Sequence, residues 1–292
     1  MERFPDNGAC LDYLQERFYP EGTECPKCGR PSKFHRISGR SAYSCQHCGH
    51  HVYPTAGTIF EKTTVNLQLW FYAIHLMAST RCGISAKQLE REIGVSNKTA
   101  LRMFRQIRTL LSEDGEPPLS GDVEVDETFY GGKPKASQTR GMSGSQIKKM
   151  ADAKKTIVLG MVERRGRVRT AVVPDRTAAS LKGKVREYVL PESMIYTDEL
   201  RLYAGIGKEY RGHRRVNHSQ RIYVDGDAST NQIEGFFALL KTGIRGVYHS
   251  VSAKHLQSYC DEYSFRYNRR NSPEPMFWAM LGRVRKTNLA AS

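Results

Sequence analysis

Four of the chain's seven cysteines stand in two CxxC pairs, Cys25-Pro26-Lys27-Cys28 and Cys45-Gln46-His47-Cys48, with sixteen residues between Cys28 and Cys45. No other feature narrows the possible folds as far. Two cysteines at this spacing can be presented by one tight turn, and two such turns supply the four thiolates of a tetrahedral zinc site. Gly29 and Gly49 follow the pairs, where the turn closes through a positive φ that glycine adopts without steric penalty. The spacing therefore predicts a ribbon of short strands holding one structural Zn²⁺ through Cys25, Cys28, Cys45 and Cys48. His35, His47, His50 and His51 lie nearby, but four cysteines complete the set and these histidines read as surface or DNA-facing groups rather than ligands. An odd cysteine count used in this way fits a reducing compartment better than a disulfide framework.

Charge is distributed in blocks. The net +15 is concentrated in residues 66–111 (7 basic, 2 acidic), 131–190 (15 and 4) and 243–292 (8 and 3), whereas residues 112–130 carry 7 acids and no base. Basic surfaces of this kind attract polyanions such as double-stranded DNA, because each neutralised phosphate releases counterions. No apolar run approaches the roughly 18 residues that a membrane helix needs, and the opening Met1 to Asp6 lacks a secretory pattern. A cytoplasmic protein is expected.

Beyond the ribbon the periodicity turns helical. Leu67, Trp70, Phe71, Ile74 and Met77 form one apolar face. Ser85 and Gln88 have the spacing of a capping box for a second helix with Leu89 and Ile93 inward, and Gly94 supplies a turn. Ser96 caps a third helix that buries Ala100, Met103, Phe104 and Ile107 and leaves Asn97, Lys98, Thr99, Arg102 and Arg105 near its start and outer face. This is a helix-turn-helix pattern with those five residues as candidate DNA contacts.

The polar stretch Glu113 to Pro118 reads as a boundary, after which the period changes to two. Strands are expected from Val123 to Tyr130, Thr156 to Val162, Arg167 to Val173 and Met194 to Tyr196, with a helix from Thr177 to Leu190. Residues 131–155, rich in Gly, Ser and Lys, read as a basic loop carrying Lys133, Lys135, Arg140, Lys148, Lys149, Lys154 and Lys155. Strands alternating with helices make this an α/β (α+β) layer. Three acids end or follow elements: Asp126 in Val-Glu-Val-Asp-Glu-Thr, Asp198 in Tyr-Thr-Asp, and Glu234 in Thr-Asn-Gln-Ile-Glu-Gly. Phosphoryl transfer by two Mg²⁺ ions requires carboxylates converging from different elements, because hard cations take oxygen ligands that one strand cannot provide.

The chain resembles the insertion-sequence DDE transposases of the ISXO type, through Val123-Glu124-Val125-Asp126-Glu127-Thr128-Phe129-Tyr130-Gly131-Gly132, Tyr196-Thr197-Asp198, the run from Thr230 to Lys241, and Phe265-Arg266-Tyr267-Asn268-Arg269-Arg270. Thirty-five residues separate Asp198 from Glu234, and six separate Glu234 from Lys241. The resemblance implies a zinc ribbon (1–65), a helix-turn-helix segment (66–111) and an RNase H-like catalytic domain with a mixed sheet (112–292). It implies that Asp126 and Asp198 are strand-borne ligands of two Mg²⁺ (or Mn²⁺) ions, with Asp126 bridging them, and that Glu234 completes the set. Lys241 would touch the DNA backbone. Asn231 is an alternative third catalytic residue, although a carboxylate binds Mg²⁺ more strongly than an amide.

The implied activity is Mg-dependent cleavage and strand transfer at the ends of the chain's own mobile element. Arg266, Arg269, Arg270 and the basic loop, with Lys148 and Lys149, would hold phosphates of element ends and target. A homodimer or higher oligomer on DNA is expected, located at the bacterial nucleoid. Relatives carry His before the Thr-Asn pair and Trp after Glu-Gly, where this chain has Ser229 and Phe236-Phe237; His218, His249 and His255 also occupy family-like positions. Two alternatives remain open at this stage: a catalytically silent DNA-binding regulator, and an RNase H-like nuclease that does not join strands.

Overall fold

The computed structural model describes residues 2–80, 82–113, 115–131, 136–198, 201–216 and 230–286. Two compact units emerge, one of Met1–Leu110 together with the segment from Glu274 onward, the other of Leu111–Pro273.

In the first unit, α1 (Asn7–Phe18) begins where the Asp6 carboxylate accepts the Ala9 amide at 2.8 Å. Strands β1 (Thr23–Glu24) and β2 (Pro31–Ser32) pair antiparallel, as do β3 (Phe34–Arg36), β4 (Tyr43–Cys45) and β5 (His51–Val52) in a three-stranded sheet. The two cysteine turns close alike. The Gly29 amide donates to Cys25 O at 2.9 Å and the Gly49 amide to Cys45 O at 3.0 Å, with φ of 68° and 69°.

Helices α2 (Leu67–Ser79), α3 (Ala86–Ile93) and α4 (Asn97–Thr109) follow, and every residue expected to face inward on them is buried. Ser85 accepts the Gln88 amide at 3.1 Å, Gly94 ends α3 at φ 70°, and Ser96 accepts the Thr99 amide at 3.3 Å. Side-chain caps and a left-handed glycine thus set the short turn between α3 and α4.

The second unit is built on β6 (Asp122–Gly131), β7 (Lys155–Glu163), β8 (Val168–Val173), β9 (Met194–Thr197) and β10 (Gly212–Arg215), ordered β10-β9-β6-β7-β8. The sheet is mixed: β6 and β7, and β7 and β8, run antiparallel, whereas β9 is parallel to both β6 and β10. Alternation along the strands gives two buried faces. One packs Val123, Val125, Leu159, Met161 and Ala171 against Leu181 and Val185 of α7 (Ala178–Tyr188). On the other, Val158, Val162 and Val168 meet Ile233, Phe236, Phe237 and Leu240 of α8 (Asn231–Gly243) and Tyr263 of α9 (Leu256–Asn268). Each such side chain contributes roughly 1.5–3 kcal/mol on burial.

Helix α9 also closes the outer edge of β8. Gln257 accepts the Val172 amide at 2.7 Å and donates to Thr170 O at 3.1 Å, and Asn268 does the same for Val168 at 2.7 and 3.1 Å. Two amide side chains thereby satisfy backbone groups that a bare edge would expose.

Three features differ from the sequence reading. The expected loop at 131–155 contains α5 (Ala136–Thr139) and α6 (Gly144–Ala153). A complete capping box, Ser143 with Gln146, starts α6, so residues that read as loop formers act as a helix start signal. The basic segment Gly212–Arg215, which has no apolar alternation, forms strand β10 through its pairing with β9. Finally α10 (Met276–Leu281), placed by the sequence in the 112–292 domain, packs in the first unit, where Phe277 and Trp278 join Phe4 at 6.3 and 5.9 Å and Arg3 lies 4.9 Å from the Trp278 ring centre. Contacts so distant in sequence leave no local mark.

Candidate active site

Asp126 sits midway along β6, opposite Gly160 of β7. Asp198 follows the last residue of β9. In the parallel register Asp122 faces Met194, Val123 faces Ile195 and Glu124 faces Tyr196. The pairing ends there, two residues before Asp126 on β6 and two before Asp198, which follows β9.

Glu234 comes from the first turn of α8, where the Thr230 hydroxyl donates to its Oε1 at 3.1 Å. The helix lies close because Gly160 has no side chain: a Cβ there would stand 2.5 Å from Ile233 Cδ1 and 2.7 Å from Phe237 Cζ. Glycine beside Asp126 is thus what lets the third acid approach the sheet.

The electrostatics support one acidic site. Burial pushes the Asp126 carboxyl up to about 7, and the charges of Glu127, Asp198 and Glu234 push the same way, opposed by the Glu127 amide, which donates to Asp126 Oδ1 at 2.8 Å. Lys241 is half-buried two turns further along α8, and Asn231 is exposed at its start.

Two acids beside Asp126 were not singled out from the sequence. Glu127 points to the opposite face, where it accepts from Arg176 Nε at 2.7 Å and from the Tyr203 hydroxyl at 2.9 Å. Glu124 is fully buried. Strand alternation alone could have placed Glu124 on the Asp126 face.

Among the described residues, the four cysteines are the one group of three or more His, Cys, Asp or Glu whose ligand atoms all lie within 4.8 Å of one another. Cys25 and Cys48 Sγ are 3.7 Å apart and Cys28 and Cys45 Sγ 4.0 Å; four thiolates around zinc at about 2.3 Å stand about 3.8 Å apart. The Ser32 hydroxyl lies 3.0 Å from Cys45 Sγ, and the His47 amide donates to it at 3.4 Å, as expected around a metal-bound thiolate. Geometry and donor chemistry both support a structural zinc.

The expected DNA contacts separate into two groups. On α4, Asn97, Lys98, Arg102 and Arg105 are exposed and Thr99 is half-buried. Asn97 is steadied by donating to Glu90 at 2.8 Å, and Arg102 donates to Glu61 O at 3.2 Å. Lys148 and Lys149 are exposed on α6. The arginine tail is in part held by the fold. Arg266 is 10% exposed and paired with the buried Glu262 at 2.9 Å, while Arg269 pairs with Glu113 at 3.3 Å and stacks 3.9 Å from the Phe265 ring centre. These two are half-buried and ion-paired within the unit. Only Arg270 is exposed, donating to Tyr267 O at 2.7 Å. Lys133, Lys135, His218 and Ser229 lie outside the described residues.

A cysteine ribbon, a helix-turn-helix and a mixed sheet with an acidic site define a nucleic-acid-processing class of protein. Residues 118–268 match the ISXO2-like transposase domain and residues 5–51 the transposase zinc-ribbon domain; the chain belongs to the ISXO2-like transposase family. It is 28% identical over 279 residues to an uncharacterized protein in transposable element ISH50 of Halobacterium salinarum, covering 91% of this chain and 92% of that protein. Over 102 residues it is 30% identical to an uncharacterized transposase-like protein of Haemophilus influenzae, covering 35% of this chain and 81% of that one. No helix among the described residues is long and apolar enough to cross a membrane.

Proposed function

We propose that the chain is a DNA transposase that binds the ends of its own element and catalyses Mg²⁺-dependent cleavage and strand transfer. The observation that carries this reading is that β6, the end of β9 and the first turn of α8, packed at Gly160 opposite Asp126, supply Asp126, Asp198 and Glu234 to one side of the sheet. A site where burial and like charge disfavour the carboxylate is one that a cation would relieve. The donors are oxygen atoms, which suits Mg²⁺, an ion that keeps waters and substrate phosphates in its shell.

Asp126, Asp198 and Glu234 would hold the ions, with Asn231 the alternative to Glu234. When bound, two such ions would stabilise the attacking and leaving oxygens of an in-line displacement at phosphorus. Lys241 would contact the DNA backbone near the reacting phosphate, and Asn97, Lys98, Thr99, Arg102 and Arg105 would meet the element end. Lys148 and Lys149 extend the basic surface available to a second duplex. Coordinated cuts at two ends call for a dimer or larger assembly on DNA, working at the nucleoid.

The reading is tested by incubating purified protein with Mg²⁺ and labelled DNA carrying the flanking ends of its element, beside an Asp198→Asn variant. Covalent donor–target products from the native chain alone are expected. Cleavage without joining would favour a plain nuclease, and binding without either reaction a silent regulator.

A further inference from the structure

Beneath the three acids lies a buried polar cluster. Glu124, Tyr196 and Gln232 stand two residues before Asp126, Asp198 and Glu234 respectively, and Glu124 faces Tyr196 across the parallel pairing of β6 with β9. The Glu124 side chain has no exposed surface. Its Oε2 accepts the Gln232 amide at 2.9 Å and the Ile233 amide at 3.2 Å, both in the first turn of α8. The helix's own N-cap, Thr230, makes no side-chain cap bond, its hydroxyl being turned to Glu234.

The other carboxylate oxygen, Oε1, accepts from Arg164 Nε at 3.2 Å, and the Arg164 guanidinium lies 3.8 Å from the Tyr196 ring centre. Gln232 in turn accepts the Arg165 amide at 2.9 Å.

We propose that Glu124 is a positioning residue: it caps α8 from inside the sheet and so fixes Glu234 against Asp126 and Asp198. The inference rests on reading those three acids as the active site. A helix start favours a negative charge, and a buried anion persists only when its lone pairs are satisfied. Here one carboxylate is satisfied by the helix that brings Glu234 and by an arginine stacked on the strand that brings Asp198. Reach therefore matters more than charge. Aspartate would keep the charge but withdraw it by one methylene, whereas glutamine would keep the reach and an oxygen able to accept both α8 amides, giving up only the bond from Arg164, whose partly exposed guanidinium can turn to solvent.

The test uses the full-length, zinc-loaded protein with Mn²⁺ as probe, free Mn²⁺ being followed by electron paramagnetic resonance. Native protein, Glu124→Asp, Glu124→Gln and Asp126→Asn are compared at a temperature where circular dichroism shows all to be folded. Glu124→Asp is expected to weaken Mn²⁺ binding by about 10-fold, the scale typical of groups that orient metal ligands, and to lower kcat for end cleavage with KM for DNA unchanged. Glu124→Gln is expected to stay within about 3-fold of native, well short of that loss. Native affinity in Glu124→Asp, or a greater loss in Glu124→Gln than in Glu124→Asp, would overturn the proposal, since a merely charge-stabilising role predicts that order. Undiminished binding by Asp126→Asn would instead bring down the site reading itself, and the positioning role with it.

Discussion

Three acids within four residues of β6 meet three different fates. Glu124 is tied into the interior, Glu127 pairs with Arg176 and accepts from the Tyr203 hydroxyl on the opposite face, and Asp126 has Glu127, Asp198 and Glu234 as its charged neighbours. An acid whose charge the fold leaves least satisfied is the candidate for chemistry, which is why the proposed function rests on Asp126. A second titrating group lies below Asp198: His213 Nε2 is 2.8 Å from the Thr197 hydroxyl, which itself donates to Asp198 O at 2.8 Å. Burial, with Arg215 and Lys182 nearby, lowers the His213 imidazole to about 4. The unfolded chain therefore binds the proton more readily, so this histidine contributes stability above about pH 6.5 that is lost as pH falls toward 4. Thermal melts of the native protein should lose more between pH 7 and pH 5 than those of His213→Gln. Equal losses would mean that the imidazole is not held neutral by the fold.

Among the elements, the decisive contact is α8 on β7 at Gly160. Alanine there forces Ile233 or Phe237 aside, and overpacking of this sort costs about 1–3 kcal/mol. Gly160→Ala should therefore lower the melting temperature and reduce end cleavage together, because the displaced helix carries Glu234; a variant that melts lower yet cleaves at the native rate would show that the approach of α8 is not critical. Much at this scale was legible. The apolar faces of α2, α3 and α4, the caps at Ser85 and Ser96, strands β6 to β9 and α7 all follow from periodicity and local hydrogen bonding. What escaped was set by partners remote in sequence. Segment Gly212–Arg215 becomes a strand only beside β9, and Arg266 and Arg269 read as solvent-facing cations until Glu262 and Glu113 are seen to meet them. The α6 helix escaped for another reason: its glycines and serines outweighed a capping box that was present in the sequence.

For the whole chain, the paired cysteines and the spacing of Asp198, Glu234 and Lys241 pointed to the family from sequence alone, because both are fixed by chemistry that tolerates little variation. The return of the final helix to the first unit was not legible, since it depends on Phe277 and Trp278 meeting Phe4 across almost the entire chain length. Nor did the sequence distinguish Glu124 from the other acids of its strand. The central claim is that Asp126, Asp198 and Glu234 form one metal-dependent site for DNA chemistry, separate in function from the residues that bind the element ends. The most direct measurement is cleavage of labelled element-end DNA in Mg²⁺ by native protein and by Asp126→Ala, with binding to the same DNA followed in parallel. Binding within about 2-fold of native, with cleavage reduced by at least ~10³-fold, is expected from the loss of several kcal/mol of transition-state stabilisation. Cleavage by Asp126→Ala at the native rate would contradict it.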